Sequence, residues 1–168
     1  MIYYLAYGSN LHPMRLNKRC PSAIPLGVVE VNGYQLAFHK KSEDGSGKCD
    51  LCERAGATAY GVLYAMEQRD KEALDRAEGL GFDYVAREFK VRYDGGDYTA
   101  HSYVAPPERI DLTCRPYDWY KGLVIVGARH HRMPDSYVAW LESVEAIPDP
   151  DPLRRSRYEK LLRGTPIA

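Results

Sequence analysis

Ile2-Tyr3-Tyr4-Leu5-Ala6-Tyr7-Gly8-Ser9-Asn10 is the stretch around which the chain is organised. From Ile2 to Tyr7 both alternating sets of side chains are largely apolar. That is the pattern of a strand covered on either face, at the centre of a sheet or barrel. The run stops at Tyr7-Gly8-Ser9-Asn10, and Pro13 suits the first turn of a short helix over residues 13–19. A strand that ends at a Gly-Ser-Asn corner and restarts as a helix leaves several backbone N–H groups without partners. Such a corner can form a concavity for a carboxylate or a developing oxyanion. The same residues are common in ordinary turns, so the corner gains a function only if the chain supplies groups to face it.

Downstream, residues 27–31 and 34–38 flank Asn32-Gly33 and predict a hairpin. Residues 42–48 (SEDGSGK) predict a polar surface loop. An apolar strand is expected over residues 58–66, with Gly61 at a bulge or a close approach. Residues 67–78 predict a helix with Leu74 and Ala77 facing inward and Gly79 as its left-handed stop. A second hairpin is expected from residues 84–93 and 98–104 around Asp94-Gly95-Gly96-Asp97. From Pro116 the apolar period becomes helical: Trp119, Tyr120, Leu123, Val124 and Val126 on residues 117–130, then Tyr137, Trp140, Leu141 and Val144 on 134–144, then a last helix over 153–163. Strands first and helices late predict an α+β fold, a small, mostly antiparallel β-barrel with flanking helices, in a single domain spanning residues 1–168.

Lys plus Arg and Asp plus Glu both number 23, so the formal net charge is zero. Nucleic-acid and membrane-surface proteins depend on a basic excess that is missing here; the basic residues 154–157 (RRSR) read as a solvated helix face. No apolar segment approaches membrane-spanning length, and Met1 leads straight into strand-like sequence with no signal-peptide pattern. Four scattered cysteines do not make a disulfide scaffold, so a reducing, cytoplasmic setting is expected. The 14 tyrosines, against 3 phenylalanines and 2 tryptophans, suit a pocket with a polar lining, because buried phenols need partners.

Glu78 is the candidate acid or base. It lies four residues after Leu74, at the edge of the inward helix face, and in the last turn. Burial and the negative end of the helix dipole both favour its neutral form there, a setting for proton exchange near neutrality. Cys49-Asp50-Leu51-Cys52 is a lone CxxC with no second ligand pair for zinc. His130-His131, between Arg129 and Arg132, reads as a polar helix end. Neither a GxSxG elbow nor a phosphate-binding glycine motif is present.

Taken in order, the motifs resemble the γ-glutamylcyclotransferase family (AIG2-like superfamily). They are Tyr-Leu-Ala-Tyr-Gly-Ser-Asn-Leu at residues 4–11, Gly-Val-Leu-Tyr at 61–64 and Leu-Asp-Arg-Ala-Glu-Gly at 74–79. Tyr84, Ser102-Tyr103, Trp119-Tyr120-Lys121, Gly127-Ala128, Met133-Pro134 and Ala146-Ile147 follow. The resemblance implies a small barrel with flanking helices and a reaction in which a γ-glutamyl amide cyclises to 5-oxoproline and releases its amine or amino acid. It implies Glu78 as catalytic acid/base, Tyr4, Leu5, Ala6, Tyr7, Gly8, Ser9 and Asn10 as the substrate loop, and Tyr84, Tyr103 and Tyr120 as further binding residues. The loop expected over residues 42–56, with its CxxC, departs from the family pattern.

The residue types suit that chemistry. The glutamyl α-amine must lose a proton to attack its own γ-carbonyl, and the departing nitrogen must gain one; one carboxylate can do both in turn. Amine and carbonyl are tethered, which captures much of the proximity advantage, and the corner can offer N–H groups to a carboxylate or oxyanion. No metal or cofactor is required, and the only partner expected is a small γ-glutamyl substrate, with the chain a monomer or homodimer. An amino-acid leaving group would need a cation, for which Lys48, Arg54, Arg87, Arg115 and Lys121 are candidates by type. Two alternatives remain open from the sequence: a non-catalytic ligand-binding module of the same fold, and a cyclotransferase dedicated to one γ-glutamyl-protected biosynthetic amine.

Overall fold

In the computed structural model, which describes residues 1–164, five strands make one sheet: β1 (Ile2–Ala6), β2 (Ile24–Lys41), β3 (Gly47–Met66), β4 (Val85–Tyr93) and β5 (Gly96–Val104). Their order is β2-β3-β1-β5-β4, so the doubly apolar β1 is the central strand. It pairs antiparallel with β3 from Ile2↔Met66 to Ala6↔Val62, and parallel with β5 at Tyr4↔His101. The helices are α1 (Pro13–Arg19), α2 (Gln68–Ala77), α3 (Asp118–His130), α4 (Asp135–Ser143) and α5 (Pro152–Arg163). The last four positions of the expected 1–168 domain lie outside the described residues.

One apolar cluster joins the sheet to the helices, with Leu5, Leu11, Leu63, Leu74, Leu123 and Leu141 fully buried. The expected close approach at Gly61 is present: a Cβ there would stand 2.6 Å from Leu5 Cδ1 and 2.8 Å from the Ala6 carbonyl oxygen. The second hairpin also forms as expected, with Tyr93↔Gly96 closing it and positive φ at Asp94 (46°) and Gly95 (77°), the geometry of a primed two-residue turn.

Four expectations are corrected. Asn32-Gly33 makes no hairpin; β2 runs straight through it, and the positive φ of Gly33 (81°) serves a bulge, where the pairing slips from Asn32↔Thr58 to Tyr34↔Glu53. The reversal comes later, where Ser42 N–H bonds to the Ser46 carbonyl. Strand β3 begins at Gly47, so the CxxC lies on a strand and not in a loop. Ala77 is exposed, leaving Leu74 as the buried residue of α2.

The barrel is the fourth correction. The sheet is open and mixed, because β2 and β4 are its two edges and do not hydrogen-bond to each other. Side chains reach across the gap between these edges. Tyr34 packs on Phe89 with ring centroids 5.1 Å apart, and the Tyr93 ring lies so close to Gly27 that a Cβ there would be 2.3 Å from it.

Candidate active site

The corner forms where β1 leaves the sheet. A single 3-10 turn, Ser9–Leu11, follows Gly8 and is closed by Leu11 N–H to the Gly8 carbonyl at 2.9 Å. At such a start the first N–H groups have no partner within the turn. His12 then caps α1, its Nδ1 accepting from Arg15 N–H at 3.4 Å, with Pro13 in the first helical turn. Behind the corner stands α3. Gly127 is the contact point: a Cβ there would lie 2.4 Å from the Leu11 carbonyl carbon, so only glycine lets the helix support the turn this closely.

Glu78 is the C-cap of α2, and Gly79 takes positive φ (62°) directly after it. This stop aims the carboxylate at the corner. Oε1 accepts from Arg19 Nη1 at 2.6 Å and from Asn10 Nδ2 at 2.9 Å. Asn10 is saturated in turn: Nδ2 also donates to Tyr4 Oη at 2.8 Å, and Oδ1 accepts from Arg19 at 2.8 Å. The second oxygen, Oε2, accepts no hydrogen bond among the described residues. The carboxylate is therefore gripped by one oxygen and available at the other, with a side chain 17% exposed.

The cleft in front of Glu78 has a volume of about 300 Å³, the part open to solvent included, and is walled by Tyr4, Tyr7, Gly8, Ser9, Asn10, Cys49, Tyr84, Ser102, Tyr103 and Tyr120. Nine of the eleven residues singled out from sequence thus come together, Glu78 included. Leu5 and Ala6 do not line the cleft; both are fully buried, and the Leu5 carbonyl accepts from Ser102 Oγ at 2.7 Å.

The tyrosines are tied to backbone or carboxylate. Tyr84 Oη donates to the Cys49 carbonyl at 2.9 Å, and Tyr120 Oη accepts from Cys49 N–H at 3.1 Å. Tyr7 Oη donates to the Tyr103 carbonyl, and Tyr103 Oη donates to Asp75 Oδ1 at 2.6 Å, an acid that also holds Lys71. Burial pushes the titration of Tyr4, Tyr7, Tyr84, Tyr103 and Tyr120 up, so they act as phenols and not phenolates. Burial likewise pushes the Cys49 thiol up to about 12, which removes it as a nucleophile at neutral pH.

Sequence reasoning missed Arg19, Cys49 and Ser102. No local pattern could have found Arg19, whose partner lies 59 positions away. Cys49 became visible only once β3 was known to begin at Gly47. Of the cations considered for a leaving group, Lys48 borders the site, while Arg54 bonds Gln35, Arg87 pairs with Glu53, Arg115 with Glu145, and Lys121 with two carbonyls of the α4 end. Cys49 and Cys52 are free thiols, Cys52 Sγ lying 3.3 Å from the Gln35 carbonyl. Among the described residues no group of three or more His, Cys, Asp or Glu is placed to hold a metal ion.

Fold and cleft together define a class: an α+β protein whose central strand empties into a tyrosine-walled cleft carrying one half-engaged carboxylate. A family model described as AIG2-like family matches residues 58–141. The gamma-glutamylcyclotransferase of Mus musculus is 30% identical over 149 residues, 84% of this chain and 78% of the relative. That of Bos taurus is 31% identical over the same length and shares. A solved structure of a gamma-glutamyl cyclotransferase matches with a TM-score of 0.87 at 25% identity, covering 98% of this chain and 99% of that one. The chain belongs to the γ-glutamylcyclotransferase family of enzymes.

Proposed function

We propose that this chain converts a γ-glutamyl amide to 5-oxoproline and a free amine or amino acid, with Glu78 carrying the proton. The observation that supports this reading best is the asymmetric grip on Glu78. Arg19 and Asn10 fix Oε1, Oε2 accepts no hydrogen bond among the described residues, and Glu78 lines the cleft. In the reaction, Oε2 takes a proton from the glutamyl α-amine as its nitrogen attacks the γ-carbonyl carbon. A tetrahedral oxyanion forms, the old C–N bond breaks, and the same oxygen returns the proton to the departing nitrogen. The N–H groups of the corner at Gly8, Ser9 and Asn10 stabilise the oxyanion or hold the glutamyl carboxylate.

The tyrosines complete the cradle. Tyr4 accepts a hydrogen bond from Asn10 and so keeps its own proton for donation to substrate, while Tyr120 accepts from Cys49 N–H and turns its own proton toward the Cys49 thiol. Tyr84 and Tyr103 shape the wall, and Leu5 and Ala6 act through the strand that carries Tyr4 and leads into Tyr7. The test is a panel of γ-glutamyl amino acids and amines with 5-oxoproline as the readout. Product from at least one member is expected. Thermal stabilisation by the panel with no product from any member would instead mark a binding module.

A further inference from the structure

Helix α2 delivers the carboxylate, yet little apolar packing holds it. Leu74 is its buried residue, so most of what fixes the helix is polar. In its first turn Asp70 accepts from Ser22 N–H at 2.8 Å and from Ser22 Oγ at 2.6 Å. At its other end Glu78 accepts from Arg19 and Asn10. These three partners belong to the turn after β1, to α1 and to the chain leaving α1. Toward the sheet, one side-chain hydrogen bond holds α2 among the described residues: Tyr103 Oη of β5 donates to Asp75 Oδ1 at 2.6 Å.

Asp75 is also where the end of the helix is closed. Leu80 N–H returns to the Asp75 carbonyl at 2.9 Å, and Gly79 N–H to the Arg76 carbonyl at 3.2 Å. The two bonds together form a Schellman stop with Glu78 inside it. A shift of Asp75 is therefore passed to Glu78 through closed backbone rather than through a flexible side chain. The roles in the Asp75–Tyr103 bond are fixed. Lys71 Nζ lies 2.8 Å from each Asp75 oxygen. Burial opposes charge on this acid, but the bonds from Lys71 and Tyr103 hold it below the usual carboxylate range. Burial, and then the bond to Asp75, push the Tyr103 phenol up, so a phenol donates to a carboxylate, the short and charge-assisted kind of hydrogen bond.

Tyr103 walls the cleft, its ring centroid 6.1 Å from that of Tyr4, whereas Asp75 does not line it. The ring serves the cleft and the hydroxyl is engaged outside it. We propose that Asp75 is a positioning residue: by holding the Tyr103 hydroxyl it locks α2 to β5 and so sets Glu78 against the tyrosine wall. The inference rests on the cyclotransferase reading of the site and adds to it a residue that governs the rate without touching substrate.

The test measures kcat and KM with the γ-glutamyl amide that wild type turns over fastest, for Asp75→Ala, Tyr103→Phe and the double variant. Tyr103→Phe removes the hydroxyl and keeps the ring as a wall. Each single variant should lower kcat about tenfold and leave KM within about twofold, because a displaced proton carrier loses rate before the corner loses its grip on the glutamyl half. The double variant should be no slower than either single one, since both remove the same bond. Asp75→Asn keeps the size of the side chain and an acceptor for the phenol. It should lose less than Asp75→Ala, and it takes that variant's place if circular dichroism shows Asp75→Ala unfolded. A folded Tyr103→Phe with wild-type kcat would overturn the proposal. So would a loss in Tyr103→Phe beside wild-type rates in both Asp75 variants, which would put the Tyr103 hydroxyl on the substrate instead. A rise in KM alone would reduce the pair to a binding wall and overturn it as well. No 5-oxoproline from wild type would overturn the reaction and this role together, a result distinct from turnover that ignores Asp75.

Discussion

Glu78 is held by two side chains of different origin, Asn10 from the turn after β1 and Arg19 from the last residue of α1. Arg19 also bonds Asn10 Oδ1, so one guanidinium sets both the carboxylate and the amide that faces it. Arg19→Met removes this shared donor. A hydrogen bond to a charged group contributes about 1.5–3 kcal/mol, and its loss from the proposed base corresponds to a fall of roughly 10- to 100-fold in 5-oxoproline formation. Circular dichroism should stay native, since the ion pair lies at the cleft and not in the core. An unchanged rate would reduce the pair to a structural role. Glu78 was legible in the sequence because its position relative to Leu74 and Gly79 is a local matter. Arg19 was not, because its role depends on α1 and α2 meeting, which no spacing along the chain reports. The sequence-based setting for Glu78, a helix end and an inward face, was thus incomplete: it omitted the two donors that hold Oε1.

At the scale of elements, the corner keeps its shape because α3 presses on it at Gly127. Gly127→Ala would place a methyl group 2.4 Å from the Leu11 carbonyl carbon and 2.7 Å from His12 N. Backbone cannot swing aside as a flexible side chain can, so the cost is that of overpacking, about 1–3 kcal/mol. It should appear as a lower denaturant midpoint and, because Asn10 rides on the displaced turn, as reduced activity. A midpoint equal to wild type would show that the helix yields freely. Elements defined by short-range chemistry were readable: β1 by its two apolar faces, the β4–β5 turn by Asp94-Gly95, and α3 by its period. Asn32-Gly33 misled for a physical reason. The positive φ that favours a primed turn equally serves a bulge inside a long strand, and the choice falls to the partner strand, where Gly56 also takes positive φ (78°).

For the molecule as a whole, the difference between a barrel and an open sheet lay beyond the sequence. Closure depends on whether the first and last strands of the order come within hydrogen-bonding range, and here β2 and β4 meet through side chains such as Tyr34, Phe89 and Tyr93. The site survives the difference because it forms at the other end of the sheet's logic. The central strand delivers the turn, α2 delivers the carboxylate, and α3 braces the turn from behind while contributing Tyr120. The central claim is that this assembly moves a proton through Glu78. Its most direct measurement is 5-oxoproline formation by Glu78→Gln beside wild type, with substrate binding measured in parallel. Glutamine keeps the side chain's size and an acceptor for Arg19, but it cannot exchange a proton. The rate should drop by about 10²- to 10⁴-fold, the usual contribution of general acid–base catalysis, with binding largely retained. A variant that forms 5-oxoproline at the wild-type rate would contradict the account.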